Sequence, residues 1–348
     1  MGDIVVNMRT LAAPATGVQR YTKEVVSRLG TDLDLVAPGR GRGSLGHAWE
    51  QTVLPLRLRG RLLFSPGGTG PVSVSRQVVT IHDAAVLDHP EWFSSRFGRW
   101  YRFVQLRLLA RARRVITVSE FSRRRLVAHV PSAAARLDVI PLAAGREFRP
   151  PRGEEVRVVT RRLGLRPPYV LVVGTLQPRK NLERLLAAWR EIAGRREDTT
   201  LAIVGMRFDD VFRPSDVRDL PPRARLLGYV QDADLSALYG GAAAVVYPSL
   251  YEGFGLPALE ALACGAAVVA AHAGALPEVV GEAAVLVDPL DVRALAGGML
   301  ALLENDALRE RLRVEARPQA ARFSWERTAA ETRAVLDHVL VECGRPTG

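Results

Sequence analysis

The sequence of 348 residues has very few cysteines and no long apolar run. The two cysteines, Cys264 and Cys343, are far apart, which argues against a disulfide framework and against a cysteine-based zinc site. No apolar stretch reaches the ~18 residues that a transmembrane helix requires. The start, Met1-Gly-Asp, does not have the pattern of a signal peptide. We therefore expect a cytoplasmic protein, with peripheral attachment to the inner membrane face left open.

Common metal-ligand pairs and P-loops are also missing. The sequence contains no His-x-x-His or Cys-x-x-Cys pair, and the adjacent acids Asp209 and Asp210 fall in a predicted loop rather than at a strand end. No Gly-x-x-x-x-Gly-Lys-Ser/Thr motif occurs, which argues against a P-loop nucleotide hydrolase. We expect neither a metal ion nor another cofactor.

Lysine is scarce, although the formal net charge is +11. The only lysines are Lys23 and Lys180, so nearly all of the 48 basic residues are arginines. Region 96–125 holds ten arginines and one acid, with five aromatic residues among them. Two interpretations are open: an aromatic stripe facing a core with a solvated basic rim, or a face that binds an anionic membrane or an anionic acceptor. We expect no nucleic-acid partner.

Short apolar segments alternate with helical segments along the whole chain. This alternation is typical of a parallel, doubly wound α/β sheet, and it restarts after a Pro- and Arg-rich linker near 148–166. The predicted architecture is α/β, with two Rossmann-like domains whose ligands lie at the carboxyl ends of the strands in a cleft. The predicted divisions are 1–155, 156–323 and a terminal helical segment, 324–348, that packs back on the first domain.

The most informative stretch is 248–265, which follows an apolar strand. It places the glycine-bearing loop after Glu252 directly before a helix that starts near Pro257 and ends at Gly265. A glycine loop that leads into a helix N-terminus is a site for anions. Because Glu252 and Glu260 flank this loop, a ligand with both phosphates and hydroxyls fits better than phosphate alone. The plain alternative is an ordinary α/β turn.

Three further segments place polar groups at predicted strand ends. Arg179 and Lys180 follow the first strand of the second half, where two cations suit a diphosphate. His82 ends a strand of the first half, where it could bind a sugar hydroxyl or cap the next segment. Gly17 lies at the first strand-to-helix turn, after Thr16, and by itself indicates only a turn.

Together these segments resemble the family 4 retaining glycosyltransferases of the GT-B fold. Glu252-Gly-Phe-Gly-Leu-Pro-Ala-Leu-Glu260 looks like the E-x7-E motif of that family, and Gly174-Thr-Leu-Gln-Pro-Arg-Lys-Asn181 looks like its donor-phosphate loop. Segment 16–21 looks like the first glycine turn of the family, and the segments 82–86, 88–92 and 117–122 are similar to a subgroup with many mannosyl- and rhamnosyltransferases. The resemblance covers nearly the whole chain.

The resemblance implies a nucleotide-diphosphate sugar as donor (GDP-, UDP- or dTDP-linked) and a hydroxyl acceptor on a glycan, lipid-linked or small molecule. Arg179 and Lys180 would neutralise the departing diphosphate, Glu252 and His82 would contact the sugar, and Glu260 would hold the ribose. The other implied donor-binding residues are Gly17, Gly174, Thr175, Tyr229, Val230, Leu235, Phe254, Gly255 and Leu256. Many members have a second glycine where this chain has Thr16, so the contacts of that loop differ.

The implied reaction is metal-independent attack by the acceptor hydroxyl on the same face from which the diphosphate leaves. Two other interpretations share the fold. One is a binding protein that has lost catalysis, and the other is a nucleotide-sugar epimerase or a glycan phosphorylase. Product analysis with nucleotide sugars separates them.

Overall fold

The computed structural model describes residues 3–12, 17–39, 43–206, 211–212 and 219–344. The chain divides into two compact units. The first comprises 1–90, 95–142 and 324–348, and the second comprises 91–94 and 143–323. Both units are α/β, as predicted.

The first unit contains a six-stranded parallel sheet in the order β2-β1-β3-β4-β5-β6. Its strands are β1 Ile4–Asn7, β2 Leu33–Val36, β3 Leu62–Ser65, β4 Gln77–Thr80, β5 Arg114–Thr117 and β6 Leu137–Val139. Its helices are α1 Gly17–Val26, α2 Ser44–Leu58, α3 Ala85–Asp88, α4 Ser95–Arg111, α5 Glu120–His129 and α13 Trp325–Gly344, with 3₁₀ turns at Arg9–Ala12 and Pro131–Arg136.

The second unit contains another six-stranded parallel sheet, in the order β12-β11-β10-β7-β8-β9. Its strands are β7 Tyr169–Val173, β8 Thr200–Val204, β9 Ala224–Gly228, β10 Ala244–Tyr247, β11 Val268–Ala271 and β12 Ala284–Val287. Its helices are α6 Gly153–Arg162, α7 Leu182–Ala193, α8 Asp232–Gly241, α9 Leu256–Ala263, α10 Leu276–Val280, α11 Val292–Glu304 and α12 Asp306–Ala320, and Pro178–Lys180 forms a 3₁₀ turn.

The strand orders place one topological switch point in each sheet. At the β1–β3 pair of the first unit and at the β10–β7 pair of the second, the chain connections run to opposite sides of the sheet. In open parallel sheets, ligands bind outside the carboxyl ends of the strands at such a point. The central strands are fully buried, as continuous apolar strands covered on both faces should be.

The terminal helix α13 packs on the first unit, to which it belongs. The Trp325 ring lies 6.3 Å from the ring of the buried Tyr21, and Thr328 Oγ1 donates a hydrogen bond to the Pro141 carbonyl at 2.7 Å. Arg333 forms an ion pair with Asp32 at 2.8 Å.

The predicted division at 155/156 is wrong, because it falls inside α6, which belongs wholly to the second unit. The preceding residues are part of that unit too: Phe148 is buried with its ring 6.1 Å from Tyr239, and Ser236 Oγ donates to the Arg149 carbonyl at 2.9 Å. The division lies at 142/143. The assignment of 91–94 to the second unit was not predicted, and the Ser94 amide donates to the Val211 carbonyl at 3.0 Å.

Candidate active site

The loop between β10 and α9 carries the central motif of the second unit. Gly255 caps α9 with φ +98°, a left-handed conformation that favours glycine. Helix α9 begins at Leu256, so Pro257 is its second residue rather than its first, and no side chain caps its N-terminus. Gly265 follows the helix with φ +72°, which confirms the predicted end. Because Pro257 has no amide hydrogen and the Ala258 amide donates to the Gly255 carbonyl at 3.0 Å, Leu256 is the first-turn residue whose amide can face an anion.

Glu252 lies in this loop and forms ion pairs with Arg179 and Lys180, the two residues that were predicted to bind phosphate. Lys180 Nζ is 2.5 Å from Glu252 Oε1, and Arg179 Nη1 is 3.5 Å from Oε2. All three side chains are largely buried, with 18%, 15% and 8% of Arg179, Lys180 and Glu252 exposed. Burial alone raises the pKa of Glu252, but Lys180 and Arg179 outweigh burial and hold that pKa below its ordinary value. Glu252 is therefore a carboxylate at neutral pH.

The two loops that form this cluster are joined at the switch point. The Leu250 amide donates to the Arg179 carbonyl at 2.8 Å. Asn181, which has φ +57°, donates from Nδ2 to the Pro248 carbonyl at 3.0 Å and to the Pro289 carbonyl at 2.7 Å. Because β7 and β10 are neighbours, these bonds fix the cations beside the Glu252 loop.

Glycines bring neighbouring loops into close contact with the cluster. A Cβ on Gly274 would lie 2.6 Å from the Glu252 nitrogen, and Gly274 also has φ +62°. The next amide, of Ala275, donates to the Glu252 carbonyl at 3.0 Å. Gly174 packs on Lys180, since a Cβ there would lie 3.2 Å from Lys180 Cε. Thr175 Oγ1 accepts a hydrogen bond from Gln177 Nε2.

The remaining residues that were predicted to bind the nucleotide-sugar donor differ widely in exposure. Tyr229 is 60% exposed, whereas Val230 and Leu235 are 7% and 6% exposed. Phe254 is buried, with its ring edge against Phe323 at 5.6 Å. Glu260 is also buried in α9. Burial raises the pKa of Tyr247, and the nearby Glu260 charge raises it further.

The first unit positions the other two predicted residues. Gly17 is the first residue of α1 and is exposed, while Thr16 lies outside the described residues. His82 Nε2 is 3.0 Å from the Pro66 carbonyl, which can only accept, so this nitrogen donates and Nδ1 is left as an acceptor. Burial lowers the pKa of His82 despite the opposing effects of the Pro66 carbonyl and Asp83, so the ring is neutral at pH 7.

A second ionic cluster, which the sequence did not suggest, lies at the switch point of the first unit. Glu50 of α2 is 1% exposed, and its Oε1 accepts from Asn7 Nδ2 at 2.7 Å, from Arg9 Nε at 3.0 Å and from Thr69 Oγ1 at 3.1 Å. His47, one turn earlier, places Nδ1 3.6 Å from Glu50 Oε2. The spacing His-x-x-Glu on a helix is the only local sign of this cluster.

The Arg-rich region forms α4 and the segments after it. Val104 and Leu108 are buried, whereas Phe103 is 44% exposed and lies under the Arg107 guanidinium at 5.5 Å. Arg96 and Arg99 are exposed on the same side of the helix. Arg125 is instead paired with Asp88 at 2.7 Å.

Two further features concern metals and membranes. Within the described ranges, no three His, Cys, Asp or Glu side chains lie together as metal ligands. Asp209 and Asp210 lie outside those ranges. Likewise, no helix in the described part of the chain is long and apolar enough to span a membrane.

Comparison with known proteins gives consistent results for sequence and fold. Residues 160–319 match the family model "Glycosyl transferases group 1", and residues 72–144 match "Glycosyltransferase Family 4". The O-antigen chain mannosyltransferase B of Escherichia coli is 36% identical over 75% of this chain and 70% of its own length.

Two solved structures are similar over 97% of this chain. Sucrose-phosphate synthase from Thermosynechococcus elongatus is similar over 99% of its own chain, with a TM-score of 0.78 and 21% identity. HepE from Anabaena, solved with UDP and glucose, is similar over its full length, with a TM-score of 0.77 and 18% identity. These likenesses show the GT-B fold.

Proposed function

The chain belongs to the family 4 glycosyltransferases, and from that premise we propose that it moves a hexose from a nucleotide-diphosphate sugar to a hydroxyl acceptor with retention of configuration. The proposed donor sugar is mannose, because the E. coli relative is named a mannosyltransferase. HepE, with the same fold, was solved with UDP, which supports a nucleoside diphosphate as the leaving group.

The observation that carries this proposal is the Arg179–Lys180–Glu252 cluster at the β10–β7 switch point. Two cations and one carboxylate leave one net positive charge beside the uncapped N-terminus of α9. As the bond between the sugar C1 and the β-phosphate oxygen breaks, negative charge develops on that phosphate. Fixed cations and amide dipoles stabilise such charge without reorganisation.

In the proposed reaction, the acceptor oxygen forms a new bond to C1 on the face that the diphosphate leaves. The proton of the acceptor hydroxyl passes to the departing phosphate oxygen, so no carboxylate nucleophile is required. Glu252 is held in place by its ion pairs with Lys180 and Arg179 and is therefore not needed as a nucleophile. Its proposed role is to orient the sugar. We also propose that the reaction uses no metal, since these cations supply the charge that a metal ion would.

The other proposed donor contacts follow from position. Gly174 and Thr175 lie beside Lys180, and the amides of 254–256 lead into α9. Val230 and Leu235 supply an apolar wall for the base, with Tyr229 exposed beside them. Glu260, which is buried in α9, is proposed to hold the ribose. Gly17 and His82 are proposed contacts from the first unit.

We further propose that the outer side of α4 contacts anionic lipid. Arg96, Arg99 and Arg107 surround the exposed Phe103, a combination that suits a charged membrane surface. Co-sedimentation with phosphatidylglycerol vesicles should exceed that with phosphatidylcholine vesicles and should fall in an Arg99→Glu/Arg107→Glu variant. Equal binding to both vesicles, or no effect of the variant, would refute this contact.

Thermal unfolding with a panel of nucleotide sugars tests the proposed function. Ligand at one hundred times its Kd stabilises the folded state by about 2.7 kcal/mol. We expect one series among GDP-, UDP- and dTDP-mannose and their free diphosphates to raise Tm, and the same sugar to be transferred or slowly hydrolysed. Free mannose and the nucleoside monophosphates are the controls. No shift with any diphosphate would contradict the proposal.

A further inference from the structure

The second ionic cluster occupies the place in the first unit where a ligand is expected. Asn7 ends β1, Arg9 follows it, and Thr69 lies in the loop after β3, so all three lie at the switch point between these strands. That loop also carries Pro66, whose carbonyl binds His82. The cluster therefore shares an edge of the sheet with His82.

The two carboxylate oxygens of Glu50 differ in their hydrogen bonds. Oε1 accepts three hydrogen bonds, while Oε2 is buried and has no hydrogen-bond partner in the described ranges. Arg9 is further fixed because its Nη2 donates to Thr69 Oγ1 at 2.7 Å. Oε2 faces His47 Nδ1 at 3.6 Å, so a carboxylate that is held this firmly fixes the orientation of the imidazole ring.

One polar atom beside His47 is unsatisfied. Trp100 Nε1 is buried without a hydrogen-bond partner among the described residues. The His47 ring lies edge-on to the rings of Trp100 and Tyr101, with centroids 5.8 and 5.4 Å away, and Phe97 stacks on Tyr101 at 3.9 Å. An aromatic wall with an unsatisfied N–H donor suits a ligand that is both apolar and rich in hydroxyls, such as a carbohydrate.

The charges of this cluster favour a hydroxyl rather than a phosphate as the group that it binds. Arg9 and Glu50 cancel each other, so the cluster offers no net positive charge. With the His47 Nδ1–H directed at the Glu50 carboxylate, Nε2 is the ring nitrogen left for a ligand. The side chain remains 15% exposed and can therefore reach a ligand.

We propose that His47, oriented by Glu50 and flanked by Trp100, binds a hydroxyl of a sugar acceptor. The acceptor is thus a glycan or glycoside rather than a phosphorylated small molecule. This proposal rests on the proposed transfer reaction, and it assigns His47 to acceptor binding and Glu50 to positioning His47.

The test compares His47→Ala, His47→Gln and His338→Ala with GDP-mannose as donor and octyl α-mannoside as acceptor probe. His338 is a matched control because its Nε2 pairs with Glu342 one turn away on an exposed helix face, at 2.9 Å. Loss of one hydrogen bond at a buried site predicts that His47→Ala raises the acceptor KM about tenfold. Donor KM, and donor hydrolysis without acceptor, should stay within about twofold of wild type. His47→Gln should restore most of the acceptor KM, since an amide both donates and accepts.

An unchanged acceptor KM in His47→Ala would overturn the proposal, as would an equal loss of acceptor-free hydrolysis or a His47→Gln variant as impaired as His47→Ala. If His47→Ala does not fold, Trp100→Phe gives the same test, because it removes only the indole N–H and the larger ring and should raise the acceptor KM severalfold. Absence of both hydrolysis and transfer in the wild type with each of GDP-, UDP- and dTDP-mannose would instead refute the proposed function.

Discussion

Each unit of this glycosyltransferase carries a buried glutamate paired with an arginine at its switch point, yet the two clusters differ in charge. In the second unit, Glu252 faces both Arg179 and Lys180, which leaves one positive charge. In the first unit, Arg9 is the one arginine or lysine paired with Glu50 among the described residues; the other hydrogen bonds to Glu50 come from Asn7 and Thr69, and His47 lies 3.6 Å away.

The difference shows how one architecture provides two kinds of site. A net cation beside an uncapped helix N-terminus suits an anion that gains charge during the reaction. A balanced ion pair leaves directed polar atoms and no net charge, which suits neutral hydroxyls. We infer that the unit with the excess cation binds the departing diphosphate and that the balanced one binds the acceptor.

Removal of either cation of the second unit should have the largest effect. Arg179→Ala or Lys180→Ala removes charge stabilisation of the leaving group, by analogy worth about 3 kcal/mol, so kcat/KM for the donor should fall by about two orders of magnitude. The acceptor KM should change little, which is the reverse of the result expected for His47. Steady-state kinetics with both substrates varied measures this contrast.

Arg190 provides the control for that experiment, because it is exposed on α7, the helix that follows Lys180. Arg190→Ala should retain wild-type kinetics. Wild-type turnover in Lys180→Ala, with circular dichroism and Tm unchanged, would remove the diphosphate role from this cluster and with it the comparison between the two units.

Much of the architecture could be predicted because its determinants are local. Short, branched apolar segments marked all twelve strands, and Pro257 and Gly265 marked the approximate ends of α9. Lys180 and Glu252 were predicted on neighbouring loops because parallel strands present their carboxyl ends at one edge. Their direct ion pair at 2.5 Å was not predicted, since a side-chain distance depends on packing between segments 72 residues apart.

The first-unit cluster could not be predicted for the same reason. Arg9 and Glu50 are 41 residues apart, and only the strand order β2-β1-β3 brings them together. An arginine in an arginine-rich chain is a weak indicator, and Glu50 looked like any acid on a helix surface. The division at 142/143 was missed because the Pro- and Arg-rich composition at 148–153 looked like a linker, whereas Phe148 packs into the second unit.

Calorimetric titration of Glu252→Gln tests most directly whether Arg179 and Lys180 form a diphosphate site whose charge Glu252 partly cancels. Glu252→Gln removes one negative charge next to the bound diphosphate, a repulsion of a few kcal/mol at an effective dielectric constant of about 20 before screening. We predict that this variant binds the nucleoside diphosphate of the preferred donor about tenfold more tightly than wild type. The gain for the monophosphate should be smaller, and transfer should slow because the sugar is no longer oriented. Weaker diphosphate binding by Glu252→Gln would contradict the account.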